Sequence, residues 1–543
     1  MKNFIISILF ISSITSCENC KNITTTAESN PIQFTKDNDY RSPSPHTQFT
    51  NQFTLNKDNY LGLQFTLKEP LIKSLKELDT TMSEEELMQK GNFQFTILID
   101  DNVVYEENLN IGAGTYETKT TQLLYKLPLI STERENYWMW YLWARFYFMS
   151  GGRDILVDSH KVTFEVRTYL KTDIIKTGPL LAKGSFNFNV VEASFNAKDI
   201  PVQPIQPNSG WTLSNDFYDT AKIETLNKKI SQKRFENIDG IVVIKDGKLL
   251  IEEYFNGEGR DTLHNPRSVG KTIASTVLGI AIKEKYILNE DQQLKEFYDL
   301  KNFKNYSPEK DRVTLKSLLT MSPGFIGDDL DMSNPGHEEY MYPTNDWVKF
   351  TLDQPMDKNK VMEKDFAYFT AGVVLLGDII HKSVPGGLIA YADKKLFAPL
   401  GITNYQWQYT PQNVGSTAGG IQLRALDFAK YGQLYKNKGK WNSKQILTEA
   451  WVEKSLAKQV SQAYAGLEDG YYGYLFWNKV YTVDGKDYEV SFCSGNGGNK
   501  IFIFKDIPYV VVITSSNYGR PYAHTDADIM LTEYILPAVL TEK

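Results

Sequence analysis

The stretch Asn265-Pro-Arg-Ser268-Val-Gly-Lys271 runs straight into Thr272-Ile-Ala-Ser-Thr-Val-Leu-Gly-Ile-Ala-Ile-Lys283. Residues three apart share one face of a helix, so the Lys271 amine can reach the Ser268 hydroxyl. Asn265-Pro266 supplies a helix start, and Val269, Ile273, Val277, Leu278 and Ile280 give that helix a face to bury. Ser268 then falls in the first turn, where free N–H groups and the helix dipole favour developing negative charge. A nucleophilic serine needs a base within reach and donors for its oxyanion, and a buried lysine can be such a base. The same spacing recurs in Ser307-Pro-Glu-Lys310 and Ser455-Leu-Ala-Lys458. Ser307 precedes a proline in a charged loop, and Ser455 falls inside a polar-faced helix. Neither opens a buried helix after a hairpin, so context selects Ser268.

That hairpin lies just upstream. Gly240-Ile-Val-Val-Ile-Lys245 and Lys248-Leu-Leu-Ile-Glu-Glu-Tyr-Phe255 flank Asp246-Gly247, a strong short-range hairpin signal. Far downstream, Tyr488–Phe492, Ile501–Phe504 and Tyr509–Thr514 read as further strands, whereas Thr272–Lys285 and Leu423–Lys436 read as helices. Strands from both ends of a domain with helices between predict an α+β fold. Its core is one antiparallel sheet closed by the two ends and flanked by helices.

Two further clusters fall inside this domain. Phe366-Ala-Tyr368-Phe-Thr370-Ala-Gly372 leads into Val373–Ile380, which reads as a buried helix, so the Tyr368 hydroxyl can sit in a cleft and relay protons. Taken alone, Tyr368 reads as a core aromatic. Cys493-Ser494-Gly495-Asn496-Gly-Gly-Asn499 sits between strands, where glycine lets a strand edge approach a ligand closely. Taken alone, it reads as a glycine-rich turn.

In this order the three clusters resemble the serine β-lactamase and penicillin-binding-protein family, in its class C-like, esterase-like branch. The resemblance spans about residues 211–543 and includes Leu315–Gly324 and Gly419–Lys430, stretches without chemistry of their own. It implies a β-lactamase/transpeptidase-like fold and a serine hydrolase that needs no cofactor or metal. Ser268 resembles the acylated serine, Lys271 its base, and Tyr368 the tyrosine of the family's Tyr-x-Asn element, which shuttles a proton to the leaving group. Cys493-Ser494-Gly495 stands where the family has Lys/His-x-Gly on the cleft strand. The oxyanion hole implied is the backbone N–H of Ser268 and of Asn496.

Two positions depart from the family pattern. Thr370 replaces the asparagine that helps orient the lysine and the substrate. Cys493 replaces a lysine or histidine, which removes a positive charge from the site wall and leans the expectation toward neutral esters or amides over carboxylate-bearing lactams. The alternative is a binding or scaffold protein that keeps the fold without the chemistry. Gly270-Lys271-Thr272 ends like a phosphate-binding loop, but position 265, where its first glycine belongs, is asparagine. No Gly-x-Ser-x-Gly elbow occurs, His337-Glu338-Glu339 lacks a second histidine for zinc, and His264 and His524 stand isolated.

Upstream of about residue 211 the chain changes character. Asp199-Ile-Pro-Val-Gln-Pro-Ile-Gln-Pro-Asn208 reads as an extended spacer, within a linker at 196–215 that precedes the hydrolase domain at 216–543. Residues 51–195 alternate apolar and polar side chains in Asn92–Ile99, His160–Arg167 and Ser185–Val191. They predict a smaller all-β, sandwich-like domain of unassigned role, with one helix start at Ser83-Glu-Glu-Glu86. Trp138, Trp140 and Trp143 read as core of that domain. Residues 17–50, rich in Asn, Thr, Ser and Pro, read as a flexible tether.

The first residues resemble an export signal. Lys2 and the apolar Phe4–Ile11, too short to span a bilayer, lead to Ile14-Thr-Ser-Cys17, a lipobox-like site at which the chain is cut after residue 16 and Cys17 lipidated. The expectation is a lipid-anchored protein of the bacterial cell envelope, periplasm-facing or in the outer membrane, meeting a small-molecule or peptidoglycan-derived substrate. With Cys17 on lipid, Cys20 and Cys493 imply no disulfide framework. A formal net charge of −7 over 543 residues argues against a nucleic-acid partner, whose phosphates call for clustered Lys and Arg.

Overall fold

A computed structural model of the chain describes residues 30–37, 48–131, 137–463, 470–520 and 522–541. The export signal, Cys17 and Cys20 lie outside the described residues. The chain divides into two compact units, Met1–Glu192 and Ala193–Lys543.

Among the described residues the first unit holds two sheets around one aromatic core. In the larger, Gly91–Ile99 and Ile175–Val190 both pair antiparallel with His160–Lys171, so the three alternating segments read from the sequence are neighbours. The smaller comprises Phe49–Thr50, Gln33–Thr35, Tyr60–Thr66 and Leu124–Ser131. Phe34 from the smaller sheet meets Phe186 from the larger at 4.8 Å between ring centroids. Short helices fill the connections. The helix Glu84–Lys90 starts at Ser83 as the sequence predicts, and a reciprocal Ser83–Glu86 capping box closes its first turn. The tryptophan cluster forms the helix Trp138–Ala144, which buries Met139, Leu142 and Trp143 and leaves Trp138 and Trp140 only partly covered.

The tether expected at 17–50 therefore needs correction where it is described. Asn30–Pro31 and Gln33–Thr35 are strands, with Ile32 and Phe34 buried, because Phe34 completes the aromatic core. The linker expected at 196–215 is likewise built into the second unit. Gln203 pairs with Tyr254 through both ends of its side-chain amide, and its backbone N–H donates to the buried Glu253 carboxylate at 2.8 Å. Its prolines keep the segment extended, and extended backbone is what docks along a strand.

In the second unit the strands of the main sheet are β1 (Ile238–Lys245), β2 (Lys248–Tyr254), β3 (Val460–Ser461), β4 (Tyr471–Tyr472), β5 (Trp477–Val483), β6 (Lys486–Gly495), β7 (Asn499–Phe504) and β8 (Tyr509–Ser515). They form one antiparallel sheet in the order β2-β1-β8-β7-β6-β5-β4-β3. The first hairpin thus pairs with the last strand, closing the domain as expected. Asp246 and Gly247 turn that hairpin with φ of 50° and 72°, the left-handed geometry that suits the twist of the strands.

Both faces of the sheet are buried, so its central strands are continuous apolar runs. Val242, Ile244, Val510 and Val512 face the core of α2 (Lys271–Lys283), α3 (Thr370–Ser383) and α4 (Ala425–Lys436). Ile241, Val243, Val511 and Ile513 face α1 (Thr220–Ser231) and the C-terminal helical run through Leu536. α2 and α3 are apolar nearly all round because they lie inside this core. Among the described residues no single helix is long and apolar enough to cross a membrane.

Candidate active site

The chain enters α2 through a turn of 3-10 helix at Arg267–Gly270, which carries Ser268. Arg267 holds φ of 53°, a left-handed conformation that costs a non-glycine residue energy and persists only where surroundings impose it. Its guanidinium lies 4.4 Å over the Tyr518 ring, and the Tyr518 hydroxyl donates to the Asn265 carbonyl at 2.8 Å. Two glycines press on the same turn. A Cβ at Gly495, the end of β6, would fall 2.0 Å from the Pro266 carbonyl oxygen and 3.1 Å from the Ser268 nitrogen. One at Gly419, where φ is 118°, would fall 2.5 Å from the Arg267 carbonyl oxygen. The turn that carries Ser268 is thus clamped between two stretches of bare backbone.

Lys271, almost wholly buried at the start of α2, donates from Nζ to Ser268 Oγ at 2.8 Å and to the Ala418 carbonyl at 2.9 Å. The second bond fixes the amine so that the first is made from a set direction. Tyr368 completes the group. Lys271 Nζ stands 5.3 Å from its ring centroid, and the ring stacks on Trp477 at 5.6 Å and 26°. Burial pushes the Tyr368 hydroxyl above the usual tyrosine range, while the Lys271 charge and the Ser268 hydroxyl pull the other way. The sequence pattern of Ser268, Lys271 and Tyr368 is therefore one spatial cluster.

The rival Ser-x-x-Lys pairs are not. Lys310 Nζ donates to the carbonyls of Lys304 and Leu352, and Ser455 Oγ donates back to Trp451 within its own helix.

Thr370 opens α3 two residues after Tyr368. Its backbone N–H donates to Asp329 Oδ2 at 2.7 Å, and the Asp329 N–H donates to the Tyr368 carbonyl at 2.7 Å. The Asp329 carboxylate also accepts the Glu338 N–H at 2.8 Å, and Glu338 accepts the Tyr342 hydroxyl at 2.8 Å. The Thr370 hydroxyl is buried without a hydrogen bond of ordinary geometry, although both carboxylates lie close enough to feel it. Burial and the neighbouring Glu338 raise the Asp329 carboxyl, and the Thr370 N–H and Lys271 oppose the rise.

Contrary to the expectation from the sequence, the Cys493 side chain does not line the cleft. Alternation along β6 turns its thiol into the core, fully buried, 3.7 Å from the Thr272 hydroxyl. Burial pushes the thiol up to about 12. The next residue, Ser494, projects oppositely and meets the exposed His524 ring at 3.4 Å. Gly495 lies against the Ser268 turn, and Asn496 begins the turn into β7, where Gly497 and Gly498 take φ of 93° and 84°.

Three contributors escape the sequence reading: the Ala418 carbonyl, the Trp477 ring and Asp329. A carbonyl has no signature in residue identity, and the other two lie far along the chain from what they touch. Among the described residues no group of three or more His, Cys, Asp or Glu is placed to hold a metal ion.

A family model described as Beta-lactamase matches residues 228–533. No curated protein matches the chain. Among solved structures, a Bacillus anthracis protein assigned as a 6-aminohexanoate-dimer hydrolase aligns at 18% identity over 64% of this chain and 91% of its own, with a TM-score of 0.49. A Bacteroides dorei protein assigned as a β-lactamase aligns at 17% over 60% and 100%, TM-score 0.48. The octameric penicillin-binding protein homologue of Pyrococcus abyssi aligns at 20% over 59% and 78%, TM-score 0.45.

Proposed function

Since the chain belongs to the β-lactamase family, we propose that it is a serine hydrolase that works through an acyl-enzyme at Ser268. The observation that carries this reading is the 2.8 Å bond between Lys271 Nζ and Ser268 Oγ. Ser268 Oγ attacks a carbonyl carbon while Lys271 takes its proton. The N–H groups of Ser268 and Asn496 hold the oxyanion, Tyr368 delivers a proton to the departing oxygen or nitrogen, and water then releases the acyl group. Lys271 and Tyr368 act as one unit with Ser268, so single and combined losses cost nearly the same turnover.

The substrate class proposed is a neutral carboxylic ester or amide. The family's Lys/His position is here an uncharged cysteine turned into the core, so residue 493 offers the cleft no cation for a substrate carboxylate. Thr370 in the asparagine position supports the same lean, because it offers no amide to a lactam side chain. The N-terminal lipobox-like run supports anchoring through Cys17 in the cell envelope, with a small-molecule or peptidoglycan-derived substrate. An intact mass that retains Met1 after expression in a bacterial host would end that part.

The test of function is intact-protein mass after a fluorophosphonate probe and, separately, a penicillin, with Ser268→Ala alongside. A fluorophosphonate adduct absent in Ser268→Ala is expected, with little or none from penicillin. Adducts from both would move the substrate toward β-lactams or peptidoglycan peptides. No adduct from either would favour the binding-protein alternative.

A further inference from the structure

Asn499, the first residue of β7, is almost wholly buried and every polar atom of its side chain is engaged. Its Nδ2 donates to the Asn496 carbonyl at 2.9 Å and to the Ser515 carbonyl at 3.0 Å. Its Oδ1 accepts the Ser515 N–H at 2.9 Å and lies 2.7 Å from His264 Nε2. Two carbonyls on one side and an N–H on the other leave the amide a single orientation. His264 Nε2 must therefore carry the proton and donate to Oδ1.

His264 is itself held from three sides. Its backbone exchanges hydrogen bonds with Leu423, and its Nδ1 faces Asp239 on β1 at 3.4 Å. Asn256 and Ser516 donate to the same aspartate. Neither His264 nor Asn499 touches the Ser268–Lys271–Tyr368 cluster. Yet His264 lies four residues before Ser268, and Asn499 grips the carbonyl of Asn496. Their contact thus joins the two segments that each supply one N–H of the oxyanion hole proposed above.

We propose that the His264–Asn499 hydrogen bond is a strut that sets the separation of the Ser268 and Asn496 N–H donors, making both residues positioning residues for the oxyanion hole. This rests on the acyl-enzyme reading at Ser268. An oxyanion hole acts through fixed geometry, and removing one donor outright costs about 10²–10³ in turnover. A strut whose loss only lets the donors drift should cost less, about tenfold or somewhat more, and should cost it in kcat.

The test compares the full-length protein with His264→Ala, His264→Gln and Asn499→Ala on an ester and its thionoester. Thionoester sulfur uses an oxyanion hole poorly, so the oxo-to-thiono ratio of kcat/KM reports the hole specifically. The expected result is a kcat about tenfold or more lower in His264→Ala and Asn499→Ala, with KM little changed and a collapsed ratio. His264→Gln, whose amide can still donate to Asn499, should recover most of the ratio. A ratio unchanged in all three variants, even with a lower melting temperature, overturns the strut. If Asn499→Ala fails to fold, His264→Ala and its glutamine counterpart decide alone. Wild-type turnover retained by Ser268→Ala would instead overturn the acyl-enzyme reading, and the strut with it.

Discussion

The Asp329 carboxylate accepts the backbone N–H of Thr370 at 2.7 Å, and through this bond a loop holds the entrance of the helix that follows Tyr368. The reciprocal bond, from the Asp329 N–H to the Tyr368 carbonyl, makes the join two-stranded. Asp329→Ala leaves the Thr370 and Glu338 N–H groups without their acceptor, a loss of about 1–3 kcal/mol for buried donors. The expected outcome is a lower melting temperature together with a reduced kcat for the hydrolysis proposed above, because the Tyr368 hydroxyl loses its bearing on Ser268. Thermal unfolding and steady-state kinetics on one preparation check both. An unchanged kcat would show that stacking on Trp477 suffices to place Tyr368.

Gly495→Ala should abolish Ser268-dependent turnover. The new methyl would meet the Pro266 carbonyl oxygen at 2.0 Å, and backbone cannot swing aside as a flexible side chain can. Either β6 or the Ser268 turn must retreat, and each carries part of the proposed site. Fluorophosphonate labelling beside circular dichroism separates a displaced site from a lost fold. Labelling at the wild-type rate would mean that the strand end yields freely.

The linker clamp predicts a pH-dependent stability. Burial pushes the Glu253 carboxyl up to about 7, against the hydrogen bonds from Gln203 and Asn227 that favour its charge. The folded state then keeps a proton that an unfolded glutamate releases near 4.5. Stability from this group is fully present below 4.5 and is lost as pH rises through about 7. Glu253→Gln has no charge to bury. Its unfolding free energy relative to wild type should therefore climb between about pH 5 and pH 8, toward a limit on the order of 3 kcal/mol, and its melting temperature with it. A constant difference across that range would mean that Glu253 stays ionised in the fold.

Cys493 should resist alkylation in the native protein. Its thiol is buried and pushed up to about 12, so almost no thiolate is present near neutral pH. Peptide mass spectrometry after iodoacetamide should find Cys493 unmodified in native protein and modified after denaturation. Rapid native labelling would return it to the cleft wall.

Much of this molecule is legible in the chain because its signals are local. Asp246-Gly247 between apolar runs can hardly be anything but a hairpin. A serine and a lysine three apart at the head of an apolar helix meet wherever that helix goes, which is why the Ser268–Lys271 contact was foreseeable. Cys493 was misplaced for an equally physical reason. The sequence identifies the strand, but which face of a pleated strand looks into a cleft depends on what covers each side, and here both sides are covered. The segment at 30–35, which buries Ile32 and Phe34, and the docked segment at 196–215 escape the sequence for a similar reason. Each is polar or proline-rich in sequence and gains its place from partners more than a hundred residues or a whole strand away, such as Phe186 for Phe34 and Glu253 for Gln203. What the sequence determined alone, then, was the hairpin, the buried helices and the serine–lysine spacing, all set by periodicity and turn chemistry within a few residues. Tertiary structure decided the rest: that Ala418 lends its carbonyl to Lys271, that Trp477 backs Tyr368, and that His264 meets Asn499. Hydrogen bonds and ring contacts between distant segments depend on where the sheet brings backbone together, and no local pattern records that.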